Sequence, residues 1–276
     1  MTIGIIGQGF VGNAIYQKFK KYFDVKTYDL KENLCNSTFE EVSKQLVVFV
    51  CLPTPMEDGG KCNTNLVTST ITKISNSPSP NLFRTVVIKS TVPPGFTKNL
   101  NENFTNLNFV FNPEFLTEAN AVEDFNNQNR IILGGDDYIT EEIRRIYVKP
   151  FPTANIVKTE STHAEMVKYL TNSFLATKVS FANEMFQICD KLGVDYSKVI
   201  EYSMLDDRLG KSHWKVPGPD GDFGYGGHCF PKDVKALISV AEELGIFPEI
   251  LMATNEKNEE VRKNRDWEQM KGRAIV

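Results

Sequence analysis

Ile3-Gly4-Ile5-Ile6-Gly7-Gln8-Gly9-Phe10-Val11-Gly12 stands near the start of the chain, and its reading decides the fold. Ile3 to Ile6 is a continuous apolar run of the kind a buried parallel strand requires. Three glycines spaced G-x-G-x-x-G follow at once, with Gln8, Phe10 and Val11 between them, and Ala14 to Phe19 reads as the start of a helix. Strand, glycine turn and helix in that order predict a dinucleotide-binding unit. Gly7 would make the tight turn, Gly9 would admit a pyrophosphate, and Gly12 would let helix and strand pack closely. A second strand, Val25 to Tyr28, ends at Asp29. A carboxylate there binds ribose hydroxyls and repels a 2′-phosphate, so the expected cofactor is NAD and not NADP.

The same alternation continues. Leu46 to Leu52 is an apolar run ending in the stiff loop Pro53-Thr54-Pro55, and Thr85 to Lys89 closes on Ser90-Thr91-Val92-Pro93. Both loops fall at the carboxyl edge of the sheet, where open α/β folds bind ligands. Phe109 to Phe111 leads into Asn112-Pro113-Glu114-Phe115-Leu116-Thr117-Glu118. Asn112 suits an N-cap and Pro113 a first helical position. That predicts Glu114 and Glu118 on one helix face, either a solvated acidic face or, from its place at the sheet edge, part of a site. Arg130 to Gly134 reads as the last strand. Residues 1–155 are therefore expected to form a doubly wound, Rossmann-type parallel sheet.

Beyond residue 155 the pattern becomes helical, and 156–276 is expected to be an all-helical domain. His163 to Leu192 is one long run whose apolar residues (Phe174, Leu175, Val179, Phe181, Phe186 and Ile188) spread around much of its surface. One partner element could hardly cover them all, which predicts a two-fold homodimer built on this helix. Lys168 and Asn172 are four apart, suited to hold a substrate oxygen or simply to form a polar helix side. Asp195 to Tyr202 reads as a short helix, and Pro248 to Met270 as a last one with Glu256 to Arg265 exposed. Between them lies Gly224-Tyr225-Gly226-Gly227-His228-Cys229-Phe230-Pro231-Lys232-Asp233. Cys229 precedes a helix whose first turn holds Pro231. Unpaired N–H groups and the helix dipole favour a thiolate at that position.

The totals are those of a globular protein of two ordinary domains: 276 residues with a formal net charge of −4. That balance gives no electrostatic footprint for nucleic acid. No apolar run reaches the ~20 residues of a membrane span. Met1-Thr2-Ile3 opens directly as a strand, without a basic n-region or cleavage site, so no secretory leader is expected. The five cysteines (35, 51, 62, 189 and 229) show no CxxC spacing, so neither a disulfide framework nor a metal site is expected. A reducing compartment, the cytoplasm, follows.

Taken in order, the glycine turn, Pro53-Thr54-Pro55, Ser90-Thr91-Val92-Pro93, Asn112-Pro113-Glu114-Phe115-Leu116 with Glu118, Lys168 with Asn172, Asp207-Arg208 and the Cys229 segment resemble the UDP-glucose/GDP-mannose dehydrogenase family over nearly the whole chain. The resemblance implies oxidation of a nucleotide-sugar C6 alcohol to a carboxylate with two NAD and one water. It implies that Lys168, Asn172 and Asp233 surround the reacting centre, that Cys229 forms a thiohemiacetal and then a thioester, and that Glu114 assists hydrolysis. Thr91 and Glu118 would help position water and cofactor. Gly7 to Gly12, Asp29, Pro53, Thr54, Ser90, Thr91, Glu118 and Lys232 would contact the cofactor. Glu114, Phe115, Leu116, Lys168, Asn172, Arg208, Gly218, Asp222, Tyr225 and Gly226 would contact the substrate, and the long helix would form a homodimer core.

Two features depart from the family pattern. The sequence stops at Val276, before the third, nucleotide-binding domain that such proteins usually carry, and Pro217-Gly218-Pro219-Asp220-Gly221-Asp222 replaces a Tyr-Asn-Asn-Pro-Ser run. A two-electron β-hydroxyacid dehydrogenase shares the Lys-x-x-x-Asn pair but has no use for a nucleophilic cysteine. A non-catalytic NAD-binding module would bind cofactor without turnover.

Overall fold

The structure, a computed structural model, describes residues 1–81 and 83–276. The chain divides into two compact units. The first comprises Met1–Thr54 with Thr64–Lys168, the second Pro55–Asn63 with Tyr169–Val276.

The first unit alternates strand and helix: β1 (Thr2–Ile6), α1 (Phe10–Phe19), β2 (Asp24–Tyr28), α2 (Phe39–Ser43), β3 (Val47–Val50), α3 (Asn65–Asn76), β4 (Arg84–Ile88), α4 (Phe96–Asn103), β5 (Leu107–Phe111), α5 (Ala121–Asn127), β6 (Arg130–Gly134), α6 (Asp137–Val148) and β7 (Asn155–Thr159). The strands form one sheet in the order β2-β1-β3-β4-β5-β6-β7. The first five run parallel. β6 reverses, touching β5 antiparallel through Phe111 and Gly134, and β7 runs parallel to β6. Apolar patterning marks a strand without giving its direction, so this reversal leaves no trace in the sequence. β7 is also one strand more than expected. Asn155, Lys158 and Thr159 give it a polar edge-strand composition that hides it. The sheet therefore continues past residue 155. The division into units falls later, between Lys168 and Tyr169 inside α7 (Ser161–Leu192).

Helices cover both sheet faces, as buried parallel strands require. On one face Phe19, Phe49, Phe125, Tyr147 and Phe151 pack largely edge to face beneath α1, α5 and α6. On the other, Val42, Val67, Ile71 and Leu100 of α2, α3 and α4 cover Val48, Val86 and Phe109. Chain connections diverge on either side of β1 and β3, which opens a crevice at their carboxyl ends.

Residues 112–117 are not helical, and α5 begins only at Ala121. Glu114 and Glu118 accordingly share no helix face: Glu114 is buried and Glu118 exposed. The physical reason is Asn112, whose side chain is consumed by tertiary partners and cannot cap a helix. Its Nδ2 donates to the Ile132 carbonyl at 2.7 Å, and its Oδ1 accepts from Lys89 Nζ at 2.9 Å and Tyr147 Oη at 2.5 Å.

The second unit holds the rest of α7, α8 (Tyr196–Ser203), α9 (Phe230–Glu243) and α10 (Glu249–Val261). Asp195 caps α8, its carboxylate accepting from the Ser197 and Lys198 amides. The last helix ends at Val261, short of Met270, and a 3-10 turn at Asp266–Gln269 buries Trp267. Asn258 and Arg262 are buried, against the expectation of an exposed charged stretch. The apolar residues of α7 are also sorted more narrowly than their sequence implies. Phe186 packs on Tyr196 and Phe223, and Val179 joins Tyr225 and Val234. Leu170, Phe174, Phe181, Ile188 and Leu192 remain exposed. At 100° per residue these five lie within an arc of about 40°. They form one stripe. No helix among the described residues is long and apolar enough to cross a membrane.

The glycine turn yields a contrast that can be measured. A Cβ on Gly12 would sit 1.8 Å from the Gly7 carbonyl oxygen, whereas a Cβ on Gly9 meets nothing within 4 Å. Gly12→Ala should therefore cost stability at the upper end of the ~1–3 kcal/mol of overpacking, or more. Gly9→Ala should leave urea denaturation within about 0.5 kcal/mol of the unmodified protein. Equal losses in the two variants would refute the close-packing role of Gly12.

Candidate active site

In the first unit the carboxyl ends of the strands carry the β1–α1 turn and the loops after β3, β4 and β5. Gly7 takes φ +90°, and Gly9 occupies the N-cap of α1 with no side chain capping the helix. Open space over Gly9 and the N-terminus of a ten-residue helix without a side-chain cap are what a pyrophosphate needs. Asp29 lies just beyond β2. One of its oxygens accepts from the Gln8 amide at 2.7 Å and the other from the Lys31 amide at 2.9 Å, so the carboxylate is held beside the turn. Thr54 and Ser90 tie the neighbouring loops together. Thr54 Oγ1 donates to the Thr91 carbonyl at 2.7 Å, and Ser90 Oγ accepts from the Leu52 amide at 2.9 Å.

Beneath the loop after β5 lies a cluster of buried charge. Lys168 of α7 donates to Glu114 Oε1 at 2.9 Å and to the Glu114 carbonyl at 2.7 Å, while Glu114 Oε2 accepts from the Leu116 amide at 2.7 Å. Burial alone would raise the Glu114 pKa. The Lys168 ammonium, the Leu116 amide and Lys89 outweigh it and hold the carboxyl below its usual range. Phe115 packs under the Arg130 guanidinium, 4.2 Å from its ring centroid. Lys89 was not foreseen as a site residue. Burial pulls its pKa down to about 8, and Cys51 in the same cluster is pushed up to about 12 by burial. The available signal was a lysine closing an otherwise apolar strand.

In the second unit Cys229 occupies the N-cap position of α9, with no side-chain cap on the helix and Pro231 in its first turn. One turn on, Asp233 is buried between two donors: Asn172 Nδ2 reaches one oxygen at 2.6 Å and Lys232 Nζ the other at 2.5 Å. Burial works against the charge of Lys232, but the adjacent Asp233 carboxylate outweighs it, with Cys62 and Cys229 adding to the effect, and its pKa rises. The turn before Cys229 is held by amides that sequence reasoning missed. Asn183 Oδ1 accepts from the Gly224 amide at 3.1 Å, and Asn258 brackets Tyr225 by accepting from its N–H and donating to its carbonyl. Such asparagines, on helices far away in sequence, give no local signal. Gly218 and Asp222 close their own loop through a 2.7 Å bond. Arg208 is exposed on a 3-10 turn and pairs with Asp206, apart from the Asp233 cluster.

Within each unit the arrangement has a clear chemical capacity. The first presents an anion-binding turn and a pre-ionised carboxylate. The second presents a thiol at a helix N-terminus beside a carboxylate fixed by an amide and an ammonium. Lys168→Met tests the electrostatics of the first. It leaves Glu114 buried and charged without its main partner, at a cost of about 3–5 kcal/mol near pH 7. The unmodified protein keeps the stability of its ionised Glu114 above pH ~4.5 and loses it as pH falls through the lowered folded pKa. The variant is instead relieved as Glu114 protonates. The deficit measured by urea denaturation should therefore shrink from pH 7 to pH 4; a pH-independent deficit would mean that the pair is not ionic.

Comparison with known proteins converges with this geometry. Residues 24–151 match the NAD binding domain of the UDP-glucose/GDP-mannose dehydrogenase family, and residues 162–260 match its central domain. The chain is 37% identical over 253 residues to a UDP-glucose 6-dehydrogenase of Rickettsia bellii, covering 89% of this chain and 57% of that one. It is 30% identical to UDP-glucose 6-dehydrogenase AglM of Haloferax volcanii, covering 94% and 70% respectively. A solved UDP-glucose dehydrogenase from Pyrobaculum islandicum superposes with a TM-score of 0.84 at 27% identity, over 94% of this chain and 68% of that one. The chain thus spans a little over half the length of the Rickettsia relative. With both domain models matched in order, and with that glycine turn, Glu114–Lys168 pair and Cys229 helix start, the chain belongs to the UDP-glucose/GDP-mannose dehydrogenase family.

Proposed function

We propose that this protein is an NAD-dependent nucleotide-sugar 6-dehydrogenase, converting a C6 alcohol to the carboxylate, with UDP-glucose as substrate and UDP-glucuronate as product. The observation that carries the reading is the start of α9, where Cys229 precedes a buried Asp233 held by Asn172 and Lys232. NAD would be held by the Gly7–Gly12 turn and Asp29, with the loops at Pro53, Thr54, Ser90 and Thr91 beside it. When bound, it accepts one hydride in each of the two oxidation steps.

The protein residues divide the remaining work. Lys168 and Asn172 donate towards the C6 oxygen as it loses its proton, and Asp233 orders the water that takes it up. Cys229 attacks the resulting aldehyde carbon. A C–S bond forms, the carbonyl oxygen gains a proton, and a thiohemiacetal results. Loss of the second hydride leaves a thioester. Water then adds to the thioester carbon and the C–S bond breaks, returning the thiol and releasing acid. Glu114, already ionised by its neighbours, orients that water, with Thr91 and Glu118 assisting. Lys232 steadies Asp233 and, as the family resemblance implies, would contact the cofactor. By the family resemblance Phe115, Leu116, Arg208, Gly218, Asp222, Tyr225 and Gly226 would contact the sugar nucleotide.

A second copy is also the proposed occupant of the α7 stripe. Leu170, Phe174, Phe181, Ile188 and Leu192 make a narrow apolar seam along one helix. A two-fold axis would bury it against itself. Sedimentation equilibrium at micromolar protein should give a dimer, and Phe174→Glu with Phe181→Glu should give monomer; an unmodified monomer would reject the pairing. The cysteines at 35, 51, 62, 189 and 229 form no disulfide, in keeping with a reducing compartment.

Incubation with NAD and a panel of UDP- and GDP-sugars should release two NADH per acid formed, and no NADH from any sugar would reject the assignment. Asp29→Ala should narrow the preference for NAD over NADP. Cys229→Ser should lower acid formation on the order of 10³-fold or more while cofactor binding persists. Glu114→Gln should let a covalent sugar adduct on Cys229 accumulate, visible by intact mass; its absence under turnover would remove Glu114 from hydrolysis.

A further inference from the structure

Arg262 closes α10 inside a stretch of charge that reads as solvent-facing, yet it is 3% exposed. Its guanidinium is used on every side. Nε donates to the Asn264 carbonyl at 2.7 Å, Nη1 to Asp220 Oδ2 at 2.7 Å, and Nη2 to Asp266 Oδ1 at 3.3 Å. Asp266 in turn accepts from the Gly227 amide, at 3.0 Å to Oδ2 and 3.2 Å to Oδ1. Gly227 stands two residues before Cys229. Asp220 belongs to the loop that closes between Gly218 and Asp222. One side chain therefore joins the nucleophile turn to the loop on the other side of it. Gly226 records how closely: a Cβ there would lie 2.2 Å from Arg262 Nη2 and 2.4 Å from Asp266 Oδ1.

A planar fork with fixed donor directions can hold two carboxylates and a carbonyl at once, whereas an ammonium on a flexible stem cannot. Removing the guanidinium from Asp266 would free that carboxylate to swing towards water and take the Gly227 amide with it.

We propose that Arg262 is a positioning residue for catalysis: through Asp266 and Asp220 it fixes the main chain of Gly226 and Gly227, and so the place of the Cys229 thiol relative to the sugar loop. This rests on the thioester reading given above and adds a residue to it. A misplacement of about 1 Å at a reacting atom costs roughly 10²-fold in rate. Effects are thus expected in kcat, with the cofactor untouched.

Arg262→Lys keeps the charge and loses the fork; it should lower kcat by about 10- to 100-fold with KM for NAD unchanged. Asp220→Asn weakens one arm at a half-exposed position and should lower kcat about tenfold. Combined, the two should cost no more than Arg262→Lys alone, because they cut the same link. Full kcat per folded molecule in both variants, whatever their melting temperatures, would overturn the proposal. A second measurement needs no turnover. Alkylation of Cys229 by iodoacetamide, at a pH where the thiol is fully ionised and located by peptide mass, reports how firmly the turn is held. It should rise about tenfold in Arg262→Lys, as a locally opened turn requires; unchanged alkylation would overturn the clamp. If the unmodified protein forms no acid from any sugar, the dehydrogenase reading fails, and the alkylation result still decides whether Arg262 holds the turn.

Discussion

A carboxylate in a protein interior persists only where donors surround it, and Glu114 sets this condition for the whole carboxyl edge of the sheet. Its two oxygens and its carbonyl are met by Lys168 and the Leu116 amide. Lys168 comes from α7, so the loop after β5 cannot settle until that helix is in place. Lys89 and Tyr147 both reach Asn112, two residues earlier, and convert what would be a helix start into an extended, pinned loop. Single buried charges here would be strongly unfavourable. Paired and hydrogen-bonded, they specify one arrangement.

The second unit obeys the same rule with different parts. Asp233 is satisfied by Asn172 and Lys232, so the first turn of α9 is tied to α7 at one point and the Cys229 position follows from it. The main chain just before Cys229 is then held amide by amide from Asn183, Asn258 and Asp266. A glycine-rich turn has little intrinsic order, because glycine loses the most conformational freedom on folding. Side chains on three separate segments supply the order that the turn lacks. Buried polar groups that serve this purpose must be fully satisfied, which explains why Asn258 uses both its donor and its acceptor on Tyr225.

A further charge, set beside Glu114, shows how strongly context governs a titrating group. Glu165 accepts from the Gly95 and Thr97 amides at the start of α4, yet burial still raises its pKa. Glu114, also buried, is lowered because an ammonium stands beside it. Amide dipoles alone did not offset the loss of water; a full opposite charge did.

Several elements were legible because their signal is local. The Ile3–Ile6 run with three glycines specified β1, its turn and α1; Asp29 specified a carboxylate beside that turn; Cys229 with Pro231 specified a thiol at a helix start. Hydrophobic period and glycine spacing depend only on neighbours along the chain, so they survive without a structure. The reversal of β6, the polar edge strand β7, the non-helical path of Asn112 to Thr117 and the burial of Asn258 and Arg262 had no such signal. Each depends on a partner tens of residues away that satisfies a polar group or takes up an edge. The sequence by itself determined which residue types stand at the turns and helix starts, because those rules are short-range. Only the tertiary structure decided which buried charges are paired and which glycines are crowded, because desolvation and contact are properties of neighbours in space.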